Sequence, residues 1–330
     1  MACKNCYRIN EKAKKLCGFR PSHLDLRSVF QAEKAEENVM KQLKQKFTSR
    51  QYMISSDFEF FHYRDETPVE VEYHNHIFYE VFFFLSGDVT YIIEGKSYRI
   101  KPGDIILINN RELHKTIVEP GKTYERYVLW LDPDFIRTLG EETDLTVCFE
   151  RSAESNYNIL RPRMEFYIMI KKILACLESS VFNDGYGSRI LQKSYITELL
   201  VYLNRAFLDS RDEDIELDVV YNDKVSSVIR YINDNLKEEL SLETLAFKFY
   251  TSKYHLLREF KKHTGYTIHQ YIHKKRLIMA RMLLKEGLKV TEVYLKCGFG
   301  DYSNFIRAFK KEYGQSPKHY RNTGNGTILQ

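Results

Sequence analysis

The chain has 330 residues, 43% of them hydrophobic and 14% aromatic, which excludes a disordered chain and leaves room for two domains with a helical connection. Its formal net charge of +5 is unevenly spread. Residues 223–322 hold 20 Lys and Arg against 10 Asp and Glu, a balance of +10 that leaves −5 for the remainder, so the C-terminal third is expected to meet a polyanion.

No apolar run reaches the length of a membrane span, and the N-terminus lacks an apolar signal core, so no membrane contact is expected. Cys3, Cys6, Cys17, Cys148, Cys176 and Cys297 are scattered and do not form a disulfide framework. A reducing cytosol is the expected compartment. In chain order, residues 1–24 read as a polar leader. Cys3, Cys6, Cys17 and His23 lack the second closely spaced pair that a zinc site uses. From Asp25 to Phe47, Leu26, Val29, Phe30, Met40 and Leu43 recur at helical spacing and predict an amphipathic helix.

Short β-prone runs follow: Val69–Tyr73, Tyr79–Leu85, Val89–Glu94, Lys96–Ile100, Asp104–Ile108 and Tyr124–Trp130. Ser86-Gly87-Asp88, Glu94-Gly95 and Lys101-Pro102-Gly103-Asp104 separate them as turns. Closely spaced antiparallel strands of this kind predict a small barrel or jelly roll. His74-x-His76-x3-Glu80-x6-Gly87, followed by Gly95, Gly103-Asp104 and His114, resembles the two motifs of the cupin family over residues 62–130. In metal-binding cupins two His, a Glu and a later His ligate one divalent ion, so the resemblance makes His74, His76, Glu80 and His114 candidate ligands. The other reading is a pocket for a small-molecule effector, with no cofactor. Arg64, His74, His76, Glu80, Tyr91 and His114 are then its polar residues, and Tyr73, Tyr79, Phe82, Phe84 and Trp130 its candidate walls.

Residues 132–162 read as irregular. Arg163–Ser179 and Gly187–Leu208 carry apolar residues at helical spacing and predict an antiparallel hairpin that packs on the barrel, dimerises, or both. Asp209–Asn222, with six acidic residues and no apolar period, reads as a linker.

The last third contains one element twice. At a shift of 49 residues, Arg258, Phe260, Lys261, Lys262, Gly265 and Tyr271 fall on Arg307, Phe309, Lys310, Lys311, Gly314 and Tyr320. Each copy reads as a short helix, a turn and a second helix, the pattern that enters a DNA major groove. Lys253–His263 and Tyr302–Tyr313 are the predicted recognition helices, with Leu256 and Phe260, then Phe305 and Phe309, facing in. A helix from Ile268 to Lys285 joins the copies. Leu277-x2-Ala280-x2-Leu283-Leu284, Cys297-Gly298-Phe299, Tyr302-x2-Phe305-x3-Phe309-Lys310 and Gly314-x2-Pro317-x2-Tyr320-Arg321 resemble the AraC/XylS family of bacterial transcription regulators.

The resemblance implies two domains: an N-terminal all-β cupin-like barrel with a helical hairpin, and a C-terminal all-α domain of two helix-turn-helix units. The expected organisation is leader and helix over 1–50, effector-binding domain over 51–160, hairpin over 161–208, linker over 209–222 and DNA-binding domain over 223–322. It further implies a dimeric, effector-responsive activator whose partners are promoter DNA and RNA polymerase. Tyr254, His255, Leu257, Arg258 and Lys261 in the first copy, and Ser303, Asn304, Arg307 and Lys310 in the second, are its candidate DNA contacts. The rival readings are a metal-dependent cupin enzyme with a DNA-binding tail, and a constitutive regulator whose barrel is a dimerisation scaffold.

Overall fold

The computed structural model describes residues 47, 50–67, 71–183, 185–209 and 219–323. The chain divides into Met1–Lys46 and Phe47–Gln330. Cys3, Cys6, Cys17, His23 and the helix expected over 25–47, Phe47 apart, lie outside the described residues.

Within Phe47–Gln330 the strands are β1 (Phe58–Asp65), β2 (Tyr79–Ser86), β3 (Val89–Ile93), β4 (Lys96–Ile100), β5 (Ile105–Ile108), β6 (His114–Val118), β7 (Tyr124–Leu131), β8 (Ile159–Leu160) and β9 (Val219–Val220). They form two antiparallel sheets, ordered β1-β7-β2-β5-β8 and β6-β3-β4-β9. The inner faces share one core that includes Phe61, Tyr63, Phe82, Tyr91, Ile106, Val128 and Trp130. The outer face of the first sheet sends Phe58, Phe60, Tyr79, Val81 and Phe83 against helices. β2 is therefore covered on both sides, which is why its sequence is a nearly unbroken apolar run interrupted only by Glu80.

Four expectations are corrected here. Val71–Tyr73 carry no strand, and His74 forms only an isolated antiparallel bridge with His114. β1 and β6 form where no run was predicted. The stretch 132–162 is not irregular: it holds α1 (Pro133–Leu139), α2 (Val147–Ser155) and β8. Asp132 caps α1 by accepting from the Asp134 amide at 2.8 Å, with Pro133 opening the helix. The predicted linker, whose residues 210–218 lie outside the described residues, ends as β9, which pairs with β4.

The hairpin α3 (Met164–Phe182) and α4 (Ser188–Asp209) packs Ile170, Leu174, Leu177, Ile196, Leu199 and Leu203 into the core beneath the first sheet. The C-terminal part comprises α5 (Asp223–Asp234), α6 (Leu242–Lys248), α7 (Lys253–Thr264), α8 (Ile268–Lys285), α9 (Val290–Lys296), α10 (Tyr302–Tyr313) and α11 (Pro317–Thr323). Its two helix-turn-helix units have separate cores that meet along α8. The units repeat closely. Ser252 and Asp301 cap α7 and α10 by accepting from the His255 and Asn304 amides at 3.2 and 2.6 Å. Gly265 and Gly314 end these helices in the same left-handed conformation, φ 73° and ψ −11°, where a Cβ would be strained.

Candidate functional site

Glu80 is the only charged residue of β2, and it points into the barrel with 6% exposure. Its carboxylate accepts from the Tyr91 hydroxyl at 3.0 Å and from Trp130 Nε1 at 2.8 Å. Burial would raise its pKa, but the imidazoles beside it, His76 foremost, outweigh burial and bring it to about 2, so it is ionised. His76 Nε2 lies 3.4 Å from Glu80 Oε2. Three imidazoles converge beside this carboxylate. The ring of His114 is 4.2 Å from that of His74 and 4.9 Å from that of His76, centroid to centroid.

Each imidazole is oriented from behind by a backbone carbonyl. His74 Nδ1 reaches Glu72 O at 2.9 Å, His76 Nδ1 reaches Phe78 O at 2.7 Å, and His114 Nδ1 reaches Glu112 O at 3.0 Å. A carbonyl accepts only, so Nδ1 carries a proton in each ring, and in a neutral ring Nε2 presents a lone pair. Burial, then the neighbouring imidazoles, push His114 well below its ordinary 6.5 and also lower His74, which keeps both neutral. The Nε2 atoms of His76 and His114 are buried without a hydrogen-bond partner. Such atoms are rare in folded proteins and mark a place for a ligand donor or an ion.

The donor set fits a divalent transition metal. His76, Glu80 and His114 place ligand atoms within 4.8 Å of one another, and the Nδ1 bonds are the outer support that metal-bound His residues have. His74 falls outside that set of three. It lines the cavity instead, with Glu80, Tyr91, Tyr124, Arg126 and Trp130. The cavity holds only about 70 Å³, and Phe47, Arg50 and Gln51 also line it. The Arg50 guanidinium sits 5.3 Å from the Trp130 ring, and Arg126 stacks 5.1 Å from Phe47.

Arg64 is not in the cavity. Tyr63 points inward on β1, so its neighbours His62 and Arg64 point outward, and Arg64 lies 3.9 Å from Glu125 with half its side chain exposed. The cation that faces the cavity is Arg126, held by Asp65 and 3.9 Å from the Tyr124 ring. Of the predicted walls, Phe82 and Trp130 line the cavity, as does the predicted polar residue Tyr91. Phe84 lies in the same core, while Tyr79 faces the helices. A cleft of about 520 Å³ lies outside the barrel between its rim, α5 and α8. The barrel carries the stronger chemistry, since its buried lone pairs and carboxylate converge on one point.

The pocket is wired to the first helix-turn-helix. Ile93 pairs with His114 across the sheet. The next residue, Glu94, is 5% exposed and accepts from the Leu113 amide at 2.8 Å and from Lys275 Nζ of α8 at 2.8 Å. It also accepts from the Tyr271 hydroxyl. Lys275 further donates to Arg111 O at 2.9 Å. Beside His74, Tyr73 packs on Tyr266 and accepts the Tyr266 hydroxyl at its carbonyl at 3.2 Å. A Cβ on Gly265 would come within 2.6 Å of the Tyr73 ring, whereas one on Gly314 would meet nothing within 4 Å. The first unit is therefore seated on the barrel by the end of α7.

The opposite face of that unit is open. Tyr254, His255, Leu257, Arg258 and Lys261 on α7 are exposed, as are Ser303, Asn304, Arg307 and Lys310 on α10. Leu256, Phe260, Phe305 and Phe309 are buried behind them, as the spacing predicts.

A barrel with an inward polar site, seated on paired helix-turn-helix units with exposed basic helices, defines a ligand-binding, DNA-binding regulator. The description of the AraC-like ligand binding domain matches residues 57–200, and that of a helix-turn-helix domain matches residues 245–323. The chain is 27% identical over 261 residues to the HTH-type transcriptional activator RhaS of Salmonella paratyphi B, covering 78% of this chain and 89% of that protein. Among solved structures it is similar to the DNA-binding domain of AdpA in complex with a target DNA. There the identity is 29%, over 33% of this chain and 99% of that one, with a TM-score of 0.31. It is also similar to apo ToxT from Vibrio cholerae, at 14% identity over 82% of this chain and 99% of that one, with a TM-score of 0.36. The chain belongs to the AraC/XylS family of transcription regulators. No helix among the described residues is long and apolar enough to cross a membrane.

Proposed function

We propose that this regulator activates transcription by inserting α7 and α10 into successive major-groove turns of a promoter, under control of a small polar metabolite held in the barrel. The observation that carries the reading is the matched pair of capped, glycine-ended helices with basic outward faces. Residues near the helix N-termini, Tyr254, His255, Leu257, Arg258, Ser303, Asn304 and Arg307, read base edges, while Lys261 and Lys310 hold phosphates. Activation agrees with the RhaS relatives, which are transcriptional activators, and RNA polymerase is the partner that it requires.

The effector is a sugar or a related polyhydroxylated metabolite. Its hydroxyls donate to Glu80 and to the free Nε2 atoms of His76 and His114, and His74, Tyr91 and Arg126 complete the lining. The barrel in this reading senses and does not turn over its ligand. The same free Nε2 atoms favour a second reading, in which His76, Glu80 and His114 hold a divalent ion that supplies a Lewis-acidic anchor for the effector. The hairpin serves dimerisation, since Met164 and Ile168 on α3 and Ile190 and Leu191 on α4 remain exposed.

Arg258→Ala and Arg307→Ala test the DNA assignment. Each removes a guanidinium suited to a guanine and is expected to cost about 1–3 kcal/mol of discrimination, with folding unchanged. Binding of the full chain to its own upstream DNA, followed by anisotropy against a scrambled duplex, reads this directly. Specific binding that survives in both variants rules the assignment out.

A further inference from the structure

Arg281 lies on α8 with 8% of its surface exposed, and its Nε and Nη2 atoms have no hydrogen-bond partner among the described residues. The Tyr313 ring, 4.9 Å from Cζ, covers the guanidinium and satisfies none of its N–H groups. Nε and Nη2 lie on one edge of the guanidinium, the edge that grips a carboxylate or phosphate with two parallel bonds. Arg161 shows that grip elsewhere in the chain, holding Asp104 by Nε at 2.9 Å and by Nη2 at 3.0 Å. In Arg281 the same fork is buried and unfilled by any side chain, a costly arrangement for a charged donor.

Arg281 is one of the residues lining a cleft of about 160 Å³, with Tyr320 and its α8 neighbours on one side and Ile77, Asn110 and Arg137 on the other. That is space for roughly five waters at about 30 Å³ each, enough for a compact oxyanion. The neighbouring charges are already matched. Asp134 pairs with Arg137 at 2.7 Å and with Lys285 at 3.1 Å, and Lys285 also lies 3.6 Å from Asp132. Glu286 also borders the cleft, from an exposed position. Arg281 is thus the lining cation left without a carboxylate among the described residues.

We propose that this cleft is a second ligand site, separate from the barrel pocket, which takes a small oxyanion, a carboxylate or a phosphate ester, on the Arg281 fork. Asn110 and Arg137 offer further donors from the facing wall. Because one wall belongs to the barrel side and the other to α8 and the second helix-turn-helix, an occupant ties the two together and gives the regulator a second chemical input.

Calorimetric titration of the full chain tests this, with inorganic phosphate in one arm and malonate in the other, at ionic strength fixed with sodium chloride. Saturable binding of at least one anion is expected, weakened tenfold or more by Arg281→Gln and by Arg281→Lys. The lysine keeps the charge and loses the fork, so its weakening separates two-point recognition from simple attraction. The arm with the tighter binding identifies the phosphate or the carboxylate source. Absence of saturable binding by the wild-type chain in both arms overturns the proposal, as does an Arg281→Lys titration equal to wild type. Thermal midpoints without anion are recorded for each variant. If Arg281→Gln does not fold, Arg281→Lys and Arg137→Gln carry the comparison, each with a tenfold weakening expected.

Discussion

His62 joins β1 to the hairpin through two carboxylates, with Nδ1 2.7 Å from Glu178 and Nε2 3.0 Å from Glu125. Burial lowers its pKa, but the hydrogen bonds and charges of Glu178 and Glu125 outweigh burial and raise it above 6.5. A raised folded-state value means that the stabilisation is complete below about pH 6.5 and is lost as pH rises through the folded pKa. His62→Gln is therefore expected to cost about 1.5 kcal/mol near pH 6, the low end for hydrogen bonds to charged groups because a quarter of the imidazole is exposed. Near pH 9 the cost should shrink to a fraction of that. Urea midpoints of both chains at the two pH values check it, and a gap that does not change with pH would refute the charged bridge. The same parity on β1 decided which arginine reaches the cavity. A sequence shows that Tyr63 and Arg64 alternate, but not which of them points inward, and that parity follows from the pairing of Tyr63 with Arg126 on β7. Arg126 thus took the place expected of Arg64. His74, His76, Glu80 and His114 were legible because a motif fixed their order. Their shared carbonyl-backed tautomer was not, since it depends on where Glu72, Phe78 and Glu112 turn.

At the scale of elements, the helix-turn-helix units were readable almost residue by residue. Each local signal agrees with the packing there: a hydroxyl or carboxylate cap, an apolar pair four apart, and a glycine stop. The barrel was less so. The alternation in β1 breaks at Phe60 and Phe61 because helices cover one face and the core the other. In α1 the cap Asp132 with Pro133 was a visible start signal that a short helix made easy to pass over. The seam between barrel and α8 had a signal as well: Lys275 falls among the buried Tyr271, Ile272 and Ile278, where an unpaired lysine would not be tolerated. Its partner is Glu94, at 2.8 Å, with both side chains at least nine-tenths buried. Removing one member, as in Lys275→Met, strands a buried carboxylate and is expected to cost about 3–5 kcal/mol. Combining it with Glu94→Gln should recover part of that loss. A double-mutant cycle on urea midpoints reads the coupling, and strictly additive losses would show that the pair does not join the two elements.

For the whole molecule the governing quantity is the mismatch between the barrel cavity and the proposed effector. A cavity of about 70 Å³ is far below the roughly 300–1,000 Å³ of ordinary small-molecule pockets, and Phe47, Arg50 and Gln51 form part of its lining. On the proposed reading a sugar binds only an arrangement in which part of that lining has moved, and its apparent affinity is then the intrinsic one diminished by the fraction of molecules that are open. Trimming the lining with Phe47→Ala should raise that fraction and tighten effector binding, with His74, Glu80 and Trp130 untouched. The route onward is short, because His114 pairs with Ile93 and bridges His74, whose neighbours Glu94 and Tyr73 hold α8 and the end of α7. A ligand that prefers the open barrel thereby changes the seating of the first helix-turn-helix, provided its affinity differs between the two seatings. Thermal unfolding of the full chain against sugars, sugar phosphates and divalent metals puts this to the test. A ligand at a hundredfold excess over its dissociation constant adds about 2.7 kcal/mol to the folded state. A midpoint raised by a sugar, and raised further in Phe47→Ala, supports the gated pocket. A rise with a metal alone, abolished by His76→Ala, assigns the barrel to the ion held by His76, Glu80 and His114. If neither class moves the midpoint of the wild-type chain or of Phe47→Ala, the barrel is a scaffold that positions α8, and the sensing reading fails.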